Sequence, residues 1–498
     1  MPQFPAPPSR RRGACPDRLG KTRHRSTRRV LAAALTALVA VPLGILSSAP
    51  PAAAEPGDTN AAQFKGVNWA RPGDNFVDGP VVPEGLNVSD SYATVKAKAT
   101  SIYAGFERTA GADTVRLPVN THSVPGTPWG DAYAGAVDAA TAKGFKVILS
   151  YWEDEASTGG RITDRDAFNS MWNSAVAKYG SNSQVYFEPM NEPHGYTAAE
   201  WADVAAAWIG DRPSVPKDRI IVSGSGYNGE VTSVCADDRL NGTHLSLHLY
   251  AFQFGPKTYD EWVSEFRKRI GSCGARTVLD EFGAPMDDGR NYNDAASSDN
   301  FVRYLRAATD TVRSLGMGAV YWPGLGGKHT NRPNHDWYSL YALEGSGNEL
   351  TTRVRNTTAI DRLAFAWGAG SGSPTTALRS AGTQSCLDVP GGTHDNHTQL
   401  QAHACNGGEN QQWTRTATGQ ITVYGGEKCL DALGQGTVNG TKVGIYDCNG
   451  GENQKWAFYS DGTIRGAQSG LCLDVSGDTS KVQLYSCWGG SNQQWHLA

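Results

Sequence analysis

Three kinds of pattern are missing from this 498-residue sequence. No two of its nine cysteines have the C-x-x-C spacing that is typical of zinc sites and thiol redox motifs. Beyond residue 54 no apolar run is long enough to cross a membrane. No motif for a nucleotide or an organic cofactor occurs either. We therefore expect a protein that uses no metal and no cofactor and that has no membrane domain.

The charge of the sequence is unevenly distributed. The whole chain has a net charge of −4, but residues 1–54 contain nine lysines and arginines against a single aspartate. Without this excess of eight positive charges, the remainder carries about −12. Nucleic-acid binding depends on cations that neutralise phosphates, so this balance argues against a nucleic-acid partner. It favours a neutral polymer, such as a polysaccharide.

The first 54 residues are organised like an export signal. Basic residues precede an apolar stretch from Val30 to Leu46, which Pro42 interrupts, and small residues follow at 52–54. We predict a signal peptide over 1–54 and a secreted, extracellular protein. The pair at 28–29 resembles a twin-arginine signal, so general secretion and twin-arginine export both stay open.

Eight cysteines remain when Cys15 leaves with the signal peptide. An even number of cysteines in an exported protein predicts disulfide bonds, because the extracellular medium is oxidising. Cys235 and Cys273 flank one predicted strand, at 245–250, and we expect them to pair.

Residues 55–367 predict a (β/α)8 barrel. Eight continuously apolar runs, typical of strands buried on both faces, recur at intervals that leave room for a helix. Ala-rich segments with helical spacing lie between them, as at 131–143 and 197–209, and a last helix is predicted at 350–367. A doubly wound sheet is the alternative. The predicted strands are 64–69, 114–119, 146–152, 185–190, 219–223, 245–250, 276–282 and 318–322.

Two glutamates end predicted strands of this barrel. Glu192 follows the fourth strand in the sequence Asn191-Glu192-Pro193, and Glu281 ends the seventh. Barrels of this kind place catalytic residues at the C-terminal ends of their strands, and a pair of carboxyl groups is what retaining glycoside cleavage requires. Asp280 is expected to face the other side of its strand and to have a structural role.

These features resemble glycoside hydrolase family 5, a family of cellulase-like barrel enzymes. The resemblance covers about 300 residues, the size of one such barrel. It implies that Glu192 is the acid/base and that Glu281 is the nucleophile. It further implies substrate-binding roles for Arg116, Asn191, His248, Tyr250 and Trp322.

The chemistry asks for the same residue types. An acid that protonates the leaving oxygen needs a raised pKa, whereas the nucleophile must be charged. Arg116 and Tyr250 can keep Glu281 charged. Asn191 can hydrogen-bond the hydroxyl at carbon 2, and Trp322 offers a flat face to a sugar ring. The loop at 326–338 either adds sugar contacts or is only a solvated connection; its candidates are His329, Asn331, Asp336 and Trp337.

The third strand departs from the family pattern. Many members carry a histidine after it that contacts the sugar, but here Trp152, Glu153 or Asp154 must line that wall, and we assign Trp152 to substrate binding. This puts a cellulose-like glucan in doubt and leaves mannan, galactan or a furanoside of galactose or arabinose open. For His248, a contact with Glu192 and a contact with the sugar both stay open.

A linker rich in Gly, Ser and Pro at 368–375 leads to a threefold repeat at 376–498. Each repeat opens with Cys-Leu-Asp and closes with Asn-Gln-x-Trp. Gly-rich turns and short alternating runs predict an all-β domain. One disulfide in each repeat is the simplest pairing: Cys386–Cys405, Cys429–Cys448 and Cys472–Cys487.

The repeats resemble the ricin-type β-trefoil, carbohydrate-binding module family 13. The resemblance implies that the repeated tryptophans pack in the core and that a carboxylate, amides and an aromatic ring of each repeat bind sugar. Gly444 and His403 depart from the other repeats, so the second and first sites are expected to be weaker. The implied contacts are Asp388, Gln401, His403, Asn410 and Gln411; Asp431, Tyr446, Asn453 and Gln454; and Asp474, Gln483, Tyr485, Asn492 and Gln493.

The sequence thus predicts a secreted, monomeric, retaining glycoside hydrolase that cleaves O-glycosidic bonds of a polysaccharide. A lectin-like trefoil holds it on the polymer, because several weak sites on one domain raise residence. One alternative is an exo-acting furanosidase, a galactofuranosidase or arabinofuranosidase, on the same barrel. The other is a carbohydrate-binding protein without catalytic activity.

Overall fold

The computed structural model of the protein describes residues 59–368, 375–416, 419–459 and 461–497. The predicted signal peptide lies outside these ranges, as does most of the predicted linker at 368–375. The described residues form a parallel eight-stranded barrel, followed by three antiparallel sheets of four strands each. None of the helices in these ranges has the length and apolar character needed to cross a membrane.

The barrel strands run in parallel in the order β4-β3-β2-β1-β8-β7-β6-β5. A parallel bridge between Phe187 and Ile220 joins the two ends of this order, so the sheet closes on itself. The predicted (β/α)8 barrel is confirmed. Its strands are β1 (Lys65–Pro72), β2 (Thr114–Val119), β3 (Lys146–Tyr151), β4 (Val185–Glu188), β5 (Ile221–Ser223), β6 (His244–His248), β7 (Thr277–Glu281) and β8 (Gly318–Gly327).

The helices of the barrel begin at residues that favour an N-terminus. Seven of them follow a residue whose side chain accepts a hydrogen bond from a backbone N–H of the first turn: Ser91, Thr127, Asp164, Thr197, Thr258, Asp299 and Asn356. The helices are α1 (Tyr92–Ala110), α2 (Pro128–Ala142), α3 (Arg165–Tyr179), α4 (Ala198–Asp211), α5 (Ser225–Asn228), α6 (Thr232–Cys235), α7 (Tyr259–Ile270), α8 (Asn300–Leu315) and α9 (Thr357–Ala366).

The predicted last helix at 350–367 is wrong in its first part. Residues Glu349–Val354 form strand β10, which pairs with β9 (Tyr341–Ser346) in a hairpin, and α9 begins only at Thr357. The β-branched pair Thr351-Thr352 alternates between an exposed and a buried side chain, as a strand with one covered face requires.

Each of the three C-terminal sheets combines three strands around the Cys-Leu-Asp motif of one repeat with the strand that carries the closing tryptophan of another repeat, and in the first sheet that strand comes from the third repeat. Strand β22 pairs with β11, so the beginning and the end of this domain lie side by side. The strands are β11 (Leu378–Ser380), β12 (Cys386–Asp388), β13 (Gln401–His403), β14 (Trp413–Arg415), β15 (Ile421–Val423), β16 (Lys428–Ala432), β17 (Val443–Asp447), β18 (Trp456–Phe458), β19 (Ile464–Gly466), β20 (Cys472–Val475), β21 (Val482–Tyr485) and β22 (Trp495–Leu497).

The repeated tryptophans hold the core of this domain, as predicted. Trp413, Trp456 and Trp495 are buried in one apolar cluster. Each indole N–H donates at 2.9 Å to the carbonyl oxygen of the leucine in its own repeat's Cys-Leu-Asp motif. The indole therefore buries a large apolar surface without leaving its donor unpaired.

Disulfide bonds are present, as expected. Cys235 and Cys273 are joined on either side of β6 in the chain. Each repeat of the C-terminal domain contains one further bond: Cys386–Cys405, Cys429–Cys448 and Cys472–Cys487.

A buried ion pair connects the barrel with the C-terminal domain. Arg415 of β14 lies 2.8 Å from Asp361 of α9, and its guanidinium also lies over the ring of Phe458. Both charged side chains are largely shielded from solvent. A charge buried in this way needs its partner, so the pair holds the two domains against each other.

Gly66 should be essential for the packing of β1 against β2. A Cβ at this position would lie 2.1 Å from the carbonyl oxygen of Thr114. We expect Gly66→Ala to lower the free energy of unfolding by about 1–3 kcal/mol, measured by urea denaturation. Gly210 of α4 is the matched control, because a Cβ there meets no atom within 4 Å, so Gly210→Ala should be neutral or stabilising. Equal effects of both substitutions would contradict this account.

Candidate active site and sugar-binding sites

The predicted active-site residues meet at the C-terminal end of the barrel. Arg116 projects from β2, Glu192 follows β4, and Glu281 ends β7. The turn that carries Glu192 is fixed on both sides, because Asn191 N donates to Tyr151 O at 2.8 Å and the Trp172 indole donates to Pro189 O at 3.2 Å. Glu192 has a φ of 49°, a left-handed conformation that non-glycine residues adopt only where their surroundings impose it.

Arg116 is the centre of a buried polar network. Only 1% of the residue is exposed. Its guanidinium binds both carboxylate oxygens of Glu188, at 2.6 and 2.8 Å, and donates to Glu281 Oε1 at 2.6 Å. It also donates to Asn191 Oδ1 at 2.7 Å. The remaining acceptors are Asn68 and Ser150, each at 3.0 Å.

Glu188 was not among the predicted site residues. It lies in β4, is fully buried and forms the bidentate pair with Arg116. A charged side chain inside the apolar run of a buried strand is the signal that could have identified it, because such a charge needs a partner.

The two catalytic candidates face each other. One carboxylate oxygen of Glu192 and one of Glu281 lie within 4.8 Å of each other and of a ring nitrogen of His248. His248 Nδ1 lies 3.0 Å from Glu192 Oε1, so the contact with Glu192 is present, while a contact with the sugar stays a prediction. The Tyr250 hydroxyl donates to Glu281 Oε2 at 3.0 Å.

The two glutamates have different electrostatic surroundings. Burial raises the pKa of Glu192 to about 7, although the cations Lys328 and Arg116 act against it. Burial also raises the pKa of Glu281, but Arg116 opposes that rise through a direct ion pair with this carboxylate. Burial lowers the pKa of His248 to about 4, so its ring is neutral at pH 7.

The expectation that Asp280 faces the other side of its strand is wrong. Asp280 Oδ2 lies 3.8 Å from Arg116 Nε, so Asp280 and Glu281 approach the same guanidinium. The register of β6 and β7 shifts between the pairs Leu247–Leu279 and His248–Glu281, which leaves Asp280 as an extra residue in a bulge. Its predicted structural role agrees with the hydrogen bond that it accepts from Ser246 at 2.6 Å.

Aromatic side chains form the walls of a cavity of about 530 Å³ above the two glutamates. Trp152 and Trp322 stack with ring centres 5.1 Å apart, and Phe76 meets the edge of Trp152 at 4.9 Å. The ring of Phe252 is 64% exposed at the rim. The aromatic residues that line the cavity are Phe76, Trp152, Tyr227, Tyr250, Phe252, Trp322, Trp337 and Tyr338.

The three candidates after β3 differ in where their side chains lie. Glu153 turns away to accept hydrogen bonds from the backbone N–H groups of Gly159 and Gly160. Asp154 is buried and accepts from the Tyr151 hydroxyl at 2.7 Å. Only Trp152 of these three lines the cavity.

The loop after β8 contributes to the cavity. Asn331 and Trp337 line it, while His329 does not belong to the lining. Asp336 also borders it, but its carboxylate accepts from the backbone of Lys328 at 2.7 Å and of Tyr338 at 2.8 Å, so it shapes the loop. Lys328 was not predicted; its ammonium group forms an ion pair with Asp74 at 3.2 Å.

Among the residues that the structure describes, two sets of side chains could offer ligand atoms to a cation, and they share His248. One set adds Glu188 and Asp280, the other Glu192 and Glu281. Three of these four carboxylates, those of Glu188, Asp280 and Glu281, lie within 4.0 Å of the Arg116 guanidinium, which already supplies positive charge. The absence of a metal requirement stays a prediction.

In the C-terminal domain the aspartate of each Cys-Leu-Asp motif accepts hydrogen bonds from side-chain amides. Asp388 accepts from Gln401, Asn410 and Gln411 at 2.8–2.9 Å. The third repeat has the same arrangement, in which Asp474 accepts from Gln483, Asn492 and Gln493 at 2.9–3.0 Å. In the second repeat Asp431 accepts only from Asn453 and Gln454, because Gly444 stands opposite it in the strand pair.

The predicted sugar contacts of three glutamines need correction. Gln411, Gln454 and Gln493 are fully buried. Each donates to the aspartate and to a backbone carbonyl, and accepts from a backbone N–H. Their hydrogen-bonding capacity is therefore used inside the protein, and they position the aspartate instead of facing a ligand.

The aromatic candidates of the repeats differ in exposure. His403 is exposed, and the ring of Tyr485 is 41% exposed. Tyr446 is half-buried, and its ring meets the edge of His397 at 4.9 Å. Trp488, which was not predicted, is 66% exposed next to the third site. A tryptophan that is exposed in a domain whose repeated tryptophans are buried indicates a contact with a ligand.

Comparison with known proteins assigns a family to each domain. Residues 80–323 match the model of the cellulase family, glycosyl hydrolase family 5. Residues 374–497 match the ricin-type beta-trefoil lectin domain. The chain contains a family 5 glycosyl hydrolase domain and a ricin-type trefoil. Both predicted families are thereby confirmed.

Two curated relatives of the family 5 domain are fungal proteins. The probable endo-beta-1,4-glucanase B of Neosartorya fischeri is 25% identical over 204 residues, which cover 37% of this chain and 60% of the relative. The endoglucanase gh5-1 of Neurospora crassa is 29% identical over 204 residues, which cover 37% of this chain and 50% of the relative. The chain thus spans between half and three-fifths of the length of these relatives.

Solved structures resemble each domain separately. The catalytic domain of the major endoglucanase from Xanthomonas campestris pv. campestris has 15% identity and a TM-score of 0.44, with 61% of this chain and 95% of that chain covered. The designed threefold symmetric protein ThreeFoil has 27% identity and a TM-score of 0.23, with 25% of this chain and 98% of that chain covered.

Removal of the central guanidinium should destabilise the family 5 domain strongly. We expect Arg116→Met to lower the free energy of unfolding by about 3–5 kcal/mol near pH 7, because buried carboxylates lose their partner. Their folded-state pKa values then exceed those of the unfolded chain, so the loss should grow as pH rises and be smaller near pH 5. Urea denaturation at both pH values measures this.

The matched control is Arg161→Met. Arg161 forms an exposed pair with Glu200, so its loss should leave the free energy of unfolding almost unchanged. A deficit of similar size in both variants, or one in Arg116→Met that does not depend on pH, would contradict the role given to Arg116.

Proposed function

We propose that the family 5 domain hydrolyses O-glycosidic bonds of a polysaccharide with retention of configuration and that the trefoil holds the enzyme on the polymer. The observation that carries this proposal is that one carboxylate oxygen of Glu192 and one of Glu281 lie within 4.8 Å of each other in one aromatic cavity. Retaining enzymes have their two carboxyl groups about 5–5.5 Å apart, whereas inverting enzymes leave room for a water between them.

The different surroundings of the two glutamates support different roles. Glu281 receives an ion pair from Arg116 and a hydrogen bond from Tyr250, and both interactions favour its charged form. Glu192 has no such ion pair, and its pKa is raised to about 7, so it can carry a proton near neutral pH. We therefore assign Glu281 as the nucleophile and Glu192 as the acid/base.

The reaction then proceeds in two displacements. Glu281 attacks the anomeric carbon while Glu192 gives its proton to the leaving oxygen, which produces a glycosyl ester on Glu281 and a free alcohol. In the second step Glu192 takes a proton from water, the water oxygen attacks the anomeric carbon, and the ester bond to Glu281 breaks. Asn191 Nδ2 has no partner among the described residues and is placed to hold a sugar hydroxyl.

One wall of the cavity bears on the choice of substrate. Trp152, stacked on Trp322, lies where the sequence lacks the histidine that many family members place against the sugar. This puts a cellulose-like glucan, the kind of substrate that the names of both fungal relatives indicate, in doubt and leaves mannan, galactan or, with exo-acting cleavage, a galactofuranoside or arabinofuranoside open. A panel of these polymers and glycosides, with product analysis and proton NMR of the first anomer released, separates the alternatives. An inverted first product would exclude the two-displacement mechanism.

Hydrolysis by the family 5 domain and polymer binding by the trefoil should be lost independently of each other. We expect Glu192→Gln and Glu281→Gln to abolish hydrolysis but to leave co-sedimentation with the insoluble polymer unchanged. We expect Asp388→Ala, Asp431→Ala and Asp474→Ala, combined in one chain, to weaken co-sedimentation and to leave cleavage of a soluble substrate intact, because weak sites act together. Full turnover by both Gln variants would show that the carboxylates are not catalytic, and would favour a protein that only binds carbohydrate.

The activity should depend on the protonation of Glu192. A general acid with a pKa of about 7 is lost as pH rises, so kcat/KM should fall about tenfold for each pH unit above that value. Lys328 lowers this pKa by its charge, so Lys328→Met should move the alkaline limb to higher pH. Lys328→Arg keeps the charge and should leave the limb in place. If the alkaline limb of kcat/KM in Lys328→Met stays at the pH of the native enzyme, a group other than Glu192 controls it.

A further inference from the structure

Asn228 lies behind the catalytic residues and has no role in the mechanism above. It ends α5, directly after β5, and is fully buried. Its φ of 50° lies in the left-handed region, which asparagine tolerates better than most residues. Its amide nitrogen lies 2.6 Å from Ser246 Oγ and 3.3 Å from His248 Nε2.

The hydrogen bonds around Ser246 define the orientation of this amide. The Ser246 hydroxyl donates its single proton to Asp280 Oδ1 at 2.6 Å. The hydroxyl oxygen must then accept from Asn228, so the nearby amide atom is the nitrogen. The amide oxygen of Asn228 has no partner among the described residues, which indicates that the side chain is held for its two donors.

The second donor of Asn228 points at His248. Because the ring of His248 is neutral at pH 7, it carries one proton, on either Nδ1 or Nε2. Nε2 accepts from Asn228 at 3.3 Å, so the proton belongs on Nδ1, which lies 3.0 Å from Glu192 Oε1. Asp280 Oδ1 lies 3.6 Å from Nε2, too far for the hydrogen bond that would favour the other tautomer.

The tautomer of His248 decides where Glu192 keeps its proton. With a proton on Nδ1, His248 donates to Glu192 Oε1, and the proton of the acid is left on the other oxygen. With a bare Nδ1, His248 would accept that proton in a hydrogen bond and compete with the glycosidic oxygen. We propose that Asn228 is a positioning residue that holds His248 in its Nδ1–H tautomer and so keeps the acid proton of Glu192 available to the substrate.

This proposal rests on the proposed function. His248 and Glu192 also have several charged neighbours, whose effect on the hydrogen bond must be considered. The charged or titratable groups that face His248 or Glu192 come from the ends of several strands and from the loops beside them: Arg116, Glu188, Tyr250, Asp280, Glu281, His194, Lys328 and Asp74. Asn228 is uncharged, so Asn228→Gly should change the hydrogen bonding of His248 without adding or removing a charge at the site, whereas Asn228→Asp places a carboxylate beside Nε2.

The tautomer can be measured without a substrate. In protein labelled with 15N-histidine, long-range proton–nitrogen spectra distinguish the protonated ring nitrogen from the bare one, and His248→Gln assigns the signal. We expect Nδ1–H in the native protein. We expect a shift towards Nε2–H in Asn228→Gly, which keeps the left-handed backbone without strain, and a complete change in Asn228→Asp, whose carboxylate accepts from Nε2–H.

Kinetics on the hydrolysed substrate provide the second readout. We expect kcat to fall about tenfold in Asn228→Gly and further in Asn228→Asp with KM nearly unchanged, because part of the general acid catalysis is lost. Ser480→Gly, which relieves another positive φ in the exposed part of the trefoil, is the control and should match the native enzyme.

The outcomes separate this inference from the proposed function. An unchanged Nδ1–H signal in both Asn228 variants would overturn the role of Asn228, even if the native protein hydrolyses polysaccharide. A tautomer change without any hydrolysis by the native protein would support the hydrogen bond and overturn the enzyme assignment. A tautomer change with unaltered kcat would overturn the positioning role. A fall in kcat that accompanies the tautomer change supports it.

Discussion

The buried guanidinium of Arg116 is the interaction on which the rest of the active site depends. It extends from β2 and contacts residues of β1, β3, β4 and β7, so one side chain connects five of the barrel's eight strands. A charge inside a barrel is costly unless every donor is used, and here all three guanidinium nitrogens donate. Glu281 and Asn191 are therefore held in place before a ligand arrives, which is the preorganisation that electrostatic catalysis needs.

Much of the fold and part of the site could be predicted from the sequence. Continuous apolar runs locate strands buried on both faces, and a carboxylate at the end of such a run is placed at the barrel mouth by topology alone. For that reason Glu192 and Glu281 were predicted together, and the pairing of cysteines within repeats followed from the period of the repeat. These features depend on local pattern and strand order.

The features that were missed depend on contacts between residues that are distant in sequence. The pair of Glu188 with Arg116 and the contact of Asn228 with His248 arise only when strands close into a barrel. The bulge at Asp280 turns the side chain of this one residue to the other face of the strand. The regular alternation of side chains along a strand does not predict such a change. The residues of β10 were predicted to be helical because they lie beside a true helical segment. Their pairing with β9 in a hairpin makes them a strand instead.

The strand pair that joins the two ends of the trefoil has a consequence for how such modules are shared among enzymes. Leu378 and Leu497 lie opposite each other in paired strands, so the module enters and leaves at the same point of its surface. A domain whose termini meet can be placed at the end of a chain, or inserted within one, without stretching its own backbone. The same geometry makes the trefoil a transferable anchor, which could be attached to an unrelated hydrolase through one tether.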